Sequence, residues 1–329
     1  MIRDTKGLGL FITAILFACL IASPAQSQNI SLNNDNLSFF EEPLAYDLGP
    51  ATARVRVLVD QAAGYDIERK KDVYPTRANA QINLETELPN SWTVGAQYFG
   101  SYDDRKNGDS YSDNAAVFVQ DEWGLISAGN VTGAVRENVR RTRGRGNADL
   151  QYDNFIGGLD SGGVFYSARS NAYELSLTTD LETGYEGGFT YSRPIGNSFY
   201  QWGLRARKGE SGAGSLAGAG DTYGALAVAS YTYSRNLYDA QIGYERIDAD
   251  IGDDLDRIFG SVGYQRIFNR TSLSAEAHLG DLDGLMEYSA ALGGRFDLSR
   301  GFSLNFGYNF AHAGPRRLHE ALTSVRYEF

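Results

Sequence analysis

The segment 131–162 carries charged residues whose types and spacing suit them to act on a polar solute. A run of five arginines is followed there by three aspartates: Arg136, Arg140, Arg141, Arg143, Arg145, Asp149, Asp153 and Asp160. Opposed clusters of fixed charge set up an electric field across a narrow space and orient polar solutes within it. A second interpretation of the arginines is a basic surface patch that binds phosphate groups.

Two acidic stretches are weaker candidates for a cation site. Asp281 and Asp283 form one of them, and the other contains Asp250, Asp253, Asp254 and Asp256. Carboxylate oxygens are suitable ligands for Ca²⁺, but neither stretch has the spacing of an EF-hand loop. Solvated acidic loops are the alternative, so the sequence predicts no firm metal site.

Residues for catalysis are few. The histidines are His278, His312 and His319, and no nucleophile elbow or zinc-binding spacing surrounds any of them. The sequence therefore predicts a protein that is not an enzyme and that needs no cofactor.

The N-terminus has the features of a secretory signal peptide over residues 1–27. Arg3 and Lys6 precede an apolar run over 8–22, and small residues surround a cleavage site after Ser27. The run is shorter than the ~20 residues of a spanning helix. A looser alternative is lipoprotein processing at Cys19. The net charge of −11 argues against nucleic acid as a partner.

Apolar and polar residues alternate with a period of two along most of the chain, which predicts strands with one apolar and one polar face. The clearest copy is FSLNFGYNF over residues 302–310. About sixteen such runs follow one another, and an even number suits a bacterial membrane barrel. Charged residues on the polar faces are candidates for an inner wall: Arg54, Arg56, Arg205, Arg207, Glu174, Asp239 and Glu245.

The connections between the runs alternate in length, as in barrels inserted from the periplasm. Tight turns contain Pro89-Asn90, Gly196-Asn197, Arg235-Asn236, Asn269-Arg270 and Arg300-Gly301. The longer connections are predicted over 68–76, 103–113, 131–162, 208–222, 248–255 and 311–317. The predicted fold is all-β: a transmembrane antiparallel β-barrel over 51–329, preceded by an irregular segment over 28–50.

The chain resembles the general porin family of Gram-negative outer membranes, especially the trimeric sixteen-stranded porins of α-proteobacterial type. The matching features are the leader, the mature length, the terminal Phe329 and the long third loop. DEWGLISAG over 121–129 looks like the strand pair that leads into this loop, and LDSGGVFYS over 159–167 looks like the return from it. One departure is the absence of the Pro-Glu-Phe-Gly-Gly motif that enterobacterial porins carry there.

The resemblance implies that loop 131–162 folds into the lumen as a constriction, with the loop arginines and aspartates at the narrowest point. It also implies a homotrimer in the outer membrane, with lipid, lipopolysaccharide, the barrel-assembly machinery and small hydrophilic solutes as partners. Tyr327 and Phe329 would form the C-terminal assembly signal. The expected function is passive diffusion, and the alternatives are a substrate-selective channel or a structural or adhesive barrel with a closed lumen.

Overall fold

A computed structural model describes residues 44–104, 111–142, 144–160, 162–299 and 301–328. Nearly all secondary structure in this part of the chain is β-strand, with one short helix, α1 (Ala134–Asn138). The strands are β1 (Leu44–Asp47), β2 (Thr52–Asp66), β3 (Lys71–Val73), β4 (Thr76–Glu87), β5 (Thr93–Asp103), β6 (Tyr111–Asp121), β7 (Gly124–Gly129), β8 (Gly163–Ser170), β9 (Tyr173–Asp180), β10 (Tyr185–Ile195), β11 (Ser198–Ser211), β12 (Gly220–Tyr233), β13 (Asn236–Ala249), β14 (Leu255–Ile267), β15 (Thr271–Leu282), β16 (Leu285–Ser299), β17 (Phe302–Ala313) and β18 (Arg316–Glu328).

The strands close into an antiparallel barrel with sixteen strand positions around its circumference. From β4 to β18 each strand pairs with the next along the chain, and β18 returns to pair with β2. The short strands β1 and β3 each share one of these positions with a longer strand. Strand β3 continues β4 along one edge of β2, and β1 occupies the other edge of β2 beyond the end of β18. The predicted fold class is therefore confirmed.

The two faces of the barrel are inverted relative to a soluble protein. In β17 the inward Ser303, Asn305 and Asn309 are buried, whereas the outward Leu304 and Phe306 are exposed. An apolar outer belt and a polar interior are what a barrel in lipid requires. No helix in the described ranges is long and apolar enough to cross a membrane.

Short turns lie at one end of the barrel and most of the longer connections at the other, here called the loop end. Three predicted loops are shorter than expected, because β11, β13 and β17 continue further along the chain. The prediction over 311–317 is wrong: only Gly314 and Pro315 separate β17 from β18. Ala311 and Ala313 continue the inward face as buried residues, and Gly314 adopts a φ of 55°, which allows the tight turn.

The predicted irregular segment 28–50 contains strand β1. Leu44 to Asp47 pair with Thr52 to Val55 in register, a connection too short for the alternation pattern to reveal. The predicted signal peptide and residues 28–43 lie outside the described residues.

Candidate functional site

The loop 131–162 lies inside the barrel and is fastened to its wall by a buried ion-pair cluster. Arg141 places Nη1 2.6 Å from Oδ1 of Asp239 on β13 and Nη2 2.5 Å from Oε1 of Glu276 on β15. Asp153, on the returning half of the loop, lies 3.7 Å from the same guanidinium. Burying an arginine requires such carboxylate partners, because an unpaired charge away from water is strongly unfavourable.

The tip of the loop rests on β14 to β18. The backbone N–H of Arg145 donates to Oγ of Ser274 across 2.7 Å, and its Nε donates to Gln265 across 2.9 Å. Asn147 donates to Oγ of Ser324 across 3.0 Å. Gly293 lets the loop approach, because a Cβ there would overlap the carbonyl oxygen of Arg145. The tip is thus in direct contact with the wall.

The returning half of the loop is held by Arg257 on β14. Its Nη1 donates to the carbonyl oxygen of Asn154 across 2.7 Å, and its Nη2 donates to that of Tyr152 across 2.6 Å. The same Nη2 lies 2.7 Å from Oε2 of Glu287. Glu245 accepts the backbone N–H of Ile156 across 2.8 Å. Charge-assisted bonds to backbone groups fix the path of the loop as well as its side chains.

Apolar contacts fill the space between these polar anchors. Val135 and Val139 of the α1 region pack over Gly188, where a Cβ would overlap both side chains. Phe155 lies beneath the guanidinium carbons of Arg205 and Arg207, each 4.7 Å from the ring centroid. One buried apolar cluster contains Val139, Phe155, Leu226, Val228 and Phe259, and another contains Ala116, Leu125, Val131, Ala134, Val135 and Phe165.

The predicted constriction residues fall into distinct positions. Arg141 and Asp153 are buried between loop and wall, Arg145 is half-buried at the tip, and Arg136 and Arg140 are half-buried in or just after α1. Arg140 lies 3.0 Å from Glu137. Asp149 and Asp160 are exposed. Arg143 lies outside the described residues.

The predicted wall residues all point into the barrel, but their exposure differs from one side to the other. On β11, Arg205 is 1 % exposed and lies 2.7 Å from Glu186. On β2 and β4, Arg54 is 35 % exposed and lies 2.5 Å from Glu85, which is 23 % exposed. The wall beneath the loop is therefore covered. On β2 and β4 the charges near the turn end are partly exposed, whereas Leu58 and Gln81, nearer the middle of these strands, are buried.

The remaining predicted wall residues are also on inward faces. Asp239 and Glu245 belong to the anchors described above, and Glu174 pairs with Arg169 near the turn end of the barrel. Arg56 and Arg207 are half-buried, and Arg207 donates to the carbonyl oxygen of Gly157.

Part of the acidic stretch over 248–256 is engaged by neighbouring side chains. Asp254 lies 2.7 Å from Arg246, and Asp256 accepts a hydrogen bond of 2.6 Å from Tyr244. Within the described ranges, no three acidic, histidine or cysteine side chains converge to hold a metal ion.

The three histidines lie in different environments: His278 is buried inside the barrel, whereas His312 and His319 lie on the outer face. Nδ1 of His278 and Oγ of Ser261 are hydrogen-bonded at 2.9 Å, and Nε2 lies 3.6 Å from Glu287. All three side chains are buried, and Glu287 also pairs with Arg257. His312 stacks on Tyr288 on the outer face. His319 is hydrogen-bonded to Tyr308 there.

Asp160 and Arg145 are loop residues with shifted pKa values. Desolvation, together with the carboxyl group of Glu182, raises the pKa of Asp160. Burial, together with the nearby charge of Arg295, lowers the pKa of the Arg145 guanidinium. The first shift marks an acidic group near the loop end of the barrel, and the second agrees with the position of Arg145 against the wall.

At the C-terminus, Tyr327 points outward and is half exposed, at the turn end of the barrel. Phe329 lies outside the described residues. The structure thus describes half of the predicted assembly signal.

Sequence reasoning missed the apolar side of the loop contact. Leu226, Val228 and Phe259 point inward, where a water-filled lumen would favour polar residues. Inward glycines at 188 and 203 accompany them. Such breaks in the polar face were the available signal for a segment packed on the wall.

No protein-family model and no curated protein sequence matches the chain. Solved structures do match it. OmpT, an outer membrane protein of Vibrio cholerae in a trimer form, has a TM-score of 0.65 at 12 % identity, covering 85 % of this chain and 100 % of that one. An anion-selective porin from Comamonas acidovorans has a TM-score of 0.64 at 14 % identity, covering 85 % and 100 %. A mutant of Rh. blastica porin has a TM-score of 0.51 at 15 % identity, covering 84 % and 100 %. The chain has the sixteen-stranded barrel fold of the bacterial porins.

Proposed function

We propose that the protein is an outer-membrane channel through which small hydrophilic solutes and ions diffuse passively. The observation that carries this proposal is a closed barrel with an apolar outer belt, a charged interior and an inserted loop fastened to the wall through Arg141 and Arg257. A sixteen-stranded barrel is too wide for wall side chains to fill, so the loop sets its free width.

The passage lies between the loop and the wall of β2, β4 and β5. Arg54 and Glu85 are partly exposed charges on this wall at the turn end of the barrel. Arg77 on β4, 22 % exposed, lies beside Asp103 at the loop end. On the loop side, Arg136, Arg140 and Asp149 border the passage. We assign Arg141, Arg145 and Asp153 to anchoring, since buried charges act on a solute only through the loop that they position.

The proposal includes export and assembly. Residues 1–27 direct the chain to the periplasm, and the C-terminal Tyr327 and Phe329 guide insertion by the assembly machinery. Three copies associate through the outer faces of β2 to β6, where small residues such as Ala78, Ala80 and Ala96 allow close approach. Asp113 on this face bonds to Tyr98 across 3.3 Å, and a carboxylate is better placed at a subunit contact than in lipid.

A barrel with a closed lumen is the second candidate, and one contact favours it. Arg316 in the turn region between β17 and β18 donates to the carbonyl oxygen of Gly214 in the connection between β11 and β12. These segments lie on distant parts of the barrel wall, so the connection between β11 and β12 reaches across the opening of the barrel at the loop end. A barrel closed there would be structural or adhesive.

Liposome swelling separates the two candidates. Purified protein in liposomes should admit sugars at rates that fall steeply with sugar size, without saturation. Swelling that saturates for one sugar class would indicate a substrate-selective channel. An absence of swelling in both wild type and Arg316→Ala, with insertion verified by heat-modifiable migration in gels, would overturn the diffusion channel.

A further inference from the structure

The middle of the inner wall on β2, β4 and β5 is buried although it faces the interior of a wide barrel. Leu58 on β2 is 0 % exposed, Gln81 on β4 is 1 % exposed and Phe99 on β5 is 4 % exposed. Gln81 pairs with Phe99 on one side and with Arg56 on the other, so it lies in the middle of this stretch. We call Leu58, Gln81 and Phe99 the central wall.

The central wall contains a buried polar atom that lacks a donor. Nε2 of Gln81 donates to Oδ1 of Asn83 across 3.0 Å, whereas no donor in the described part of the chain reaches Oε1 of Gln81. A buried amide oxygen is unfavourable without a hydrogen bond, and the neighbouring Leu58 and Phe99 are apolar. The central wall is therefore suited to a segment that brings both apolar side chains and an N–H donor.

Strand β1 directs the chain that precedes it towards the central wall. It runs antiparallel to β2 with Leu44 opposite Val55, so the residues before it approach the middle of β2. From Leu58 onwards, this edge of β2 is occupied by β18, beginning with Glu328. Pro43 has no N–H with which to extend the pairing. The chain before β1 must therefore leave the sheet between Val55 and Leu58.

The charges near this point favour the inner face of the sheet over the outer one. Glu41 and Glu42 lie directly before the proline that precedes β1. Arg54 points inward opposite Ala45 of β1 and is 35 % exposed, and Arg56 follows it on the same face. The outer face of the barrel is an apolar belt, where charged side chains are unfavourable. Opposite charge thus attracts the segment into the barrel.

We propose that residues 28–43 bind the central wall from inside the barrel and narrow the passage. Phe39 and Phe40 supply the apolar contact, the N–H groups of the segment supply a donor for Gln81, and its two glutamates bind at the two arginines. The inference rests on the export in the proposed function, in which cleavage after Ser27 makes this segment the mature N-terminus. It adds a second inserted element to loop 131–162.

Crosslinking in full-length protein exported to the outer membrane tests the position of the segment. All variants carry Cys19→Ser, which removes the single native cysteine, together with Phe40→Cys. A second thiol is placed on β4, either inward with Gln81→Cys or Asn83→Cys, or outward with Ile82→Cys, a position that is 46 % exposed. A short bismaleimide joins thiols that lie close together, and mass spectrometry identifies the joined peptides.

Crosslinks should form with both inward positions and not with Ile82→Cys. A crosslink with Ile82→Cys alone would place the segment on the outer face, and an absence of crosslinks at all three positions would place it away from this wall. Either result would overturn the proposal, as would equal crosslinking of inward and outward positions. Heat-modifiable migration in gels verifies folding, and Asn83→Cys decides the question if Gln81→Cys does not fold.

Replacing the two glutamates tests the charge contact. Glu41→Ala/Glu42→Ala should lower the initial rate of crosslinking to Asn83→Cys several-fold, because charge-assisted contacts that hold the segment are lost. The matched control is Asp35→Ala, which removes a negative charge further from β1 along the chain and should leave the rate unchanged. Equal losses in the two variants would overturn the role of the glutamates.

Single-channel recording keeps this inference separate from the proposed function. Glu41→Ala/Glu42→Ala should conduct more than wild type, since the released segment uncovers part of the passage, and Asp35→Ala should conduct as wild type does. Unchanged conductance alongside slower crosslinking would overturn the narrowing. Absent conductance in wild type would instead refute the channel, while the crosslinks would still decide where the segment lies.

Discussion

Arg141 and Asp239 form an ion pair of 2.6 Å in which neither side chain is more than 1 % exposed. The pair joins the inserted loop to strand β13 across 98 positions of the chain. Because an uncompensated buried charge is far less favourable than a paired one, this contact holds the loop in one position against the wall. The free width of the interior depends on it.

Replacing Arg141 with alanine should loosen the loop and destabilise the barrel. Asp239 and Glu276 would remain buried without their cation, so we expect a loss of about 3–5 kcal/mol. The temperature at which the barrel unfolds, seen as a shift in gel migration after heating, measures this loss of stability. In planar bilayers, the noise of the open-channel current should rise. Arg140→Ala, which removes a more exposed contact with Glu137 in the same loop, should leave both nearly unchanged. Equal effects of the two substitutions would contradict the anchoring role.

Adding a side chain at Gly293 should push the loop tip off its wall. The Cβ of Gly293→Val would overlap the carbonyl oxygen of Arg145, so the tip must move towards the β2 and β4 side. Since the proposed passage lies there, single-channel conductance should fall. Gly260→Val is the control, because a Cβ at 260 meets no atom closer than 3.4 Å. Unchanged conductance in Gly293→Val would place the passage elsewhere.

The faces of the strands were predictable because period-two alternation assigns each side chain to one face. The run over 302–310 shows this, and the inward position of Arg54, Arg205 and Asp239 follows from the same rule. The tight turn at Gly314 was missed because Ala311, His312 and Ala313 reverse the usual pattern: the alanines point inward and the histidine points outward. Alternation does not identify a strand where apolar residues lie on the inner face and a polar residue lies on the outer face.

The path of the inserted loop was not predictable from local pattern. That Arg141 meets Asp239 and Glu276, rather than facing a solute, depends on where residues 131–162 run inside the barrel. A cluster of charged residues in the sequence does not show which part of the barrel wall the loop will follow. The inward Leu226 and Val228 carried the missing information, since an apolar inner wall needs something packed on it.

A larger side chain at position 80 should dissociate the proposed trimer into monomers. Ala80→Leu adds an apolar side chain on the outer face of β4, where the proposed subunit contact leaves no room. Ala277→Leu makes the same change on β15, where lipid adapts to it. Unheated gel migration and light scattering should show monomers only for Ala80→Leu. Trimers in both variants would move the interface away from this face.

The acidic group at Asp160 should make ion preference depend on pH. Its raised pKa means that it is neutralised, as pH falls, before an ordinary aspartate with a pKa of 3.8. The protonated form favours the folded loop, so this contribution to stability grows as pH falls and is lost as pH rises. Cation preference, measured from reversal potentials, should therefore drop towards that of Asp160→Asn while the pH is still above 3.8. If the cation preferences of wild type and Asp160→Asn still differ fully when the pH reaches 3.8, the raised pKa of Asp160 is contradicted.

The most direct test of the channel combines single-channel recording with thiol modification from the two sides of the interior. Asn83→Cys on β4 places a thiol at a partly exposed inward position, and Ser274→Cys on β15 places one beneath Arg145 of the loop. Both variants and wild type should show stepwise, ohmic openings in a planar bilayer. A bulky charged thiol reagent should then block Asn83→Cys and leave Ser274→Cys and wild type open. Inserted protein without openings, or equal block at both positions, would contradict a passage between the loop and the β2–β5 wall.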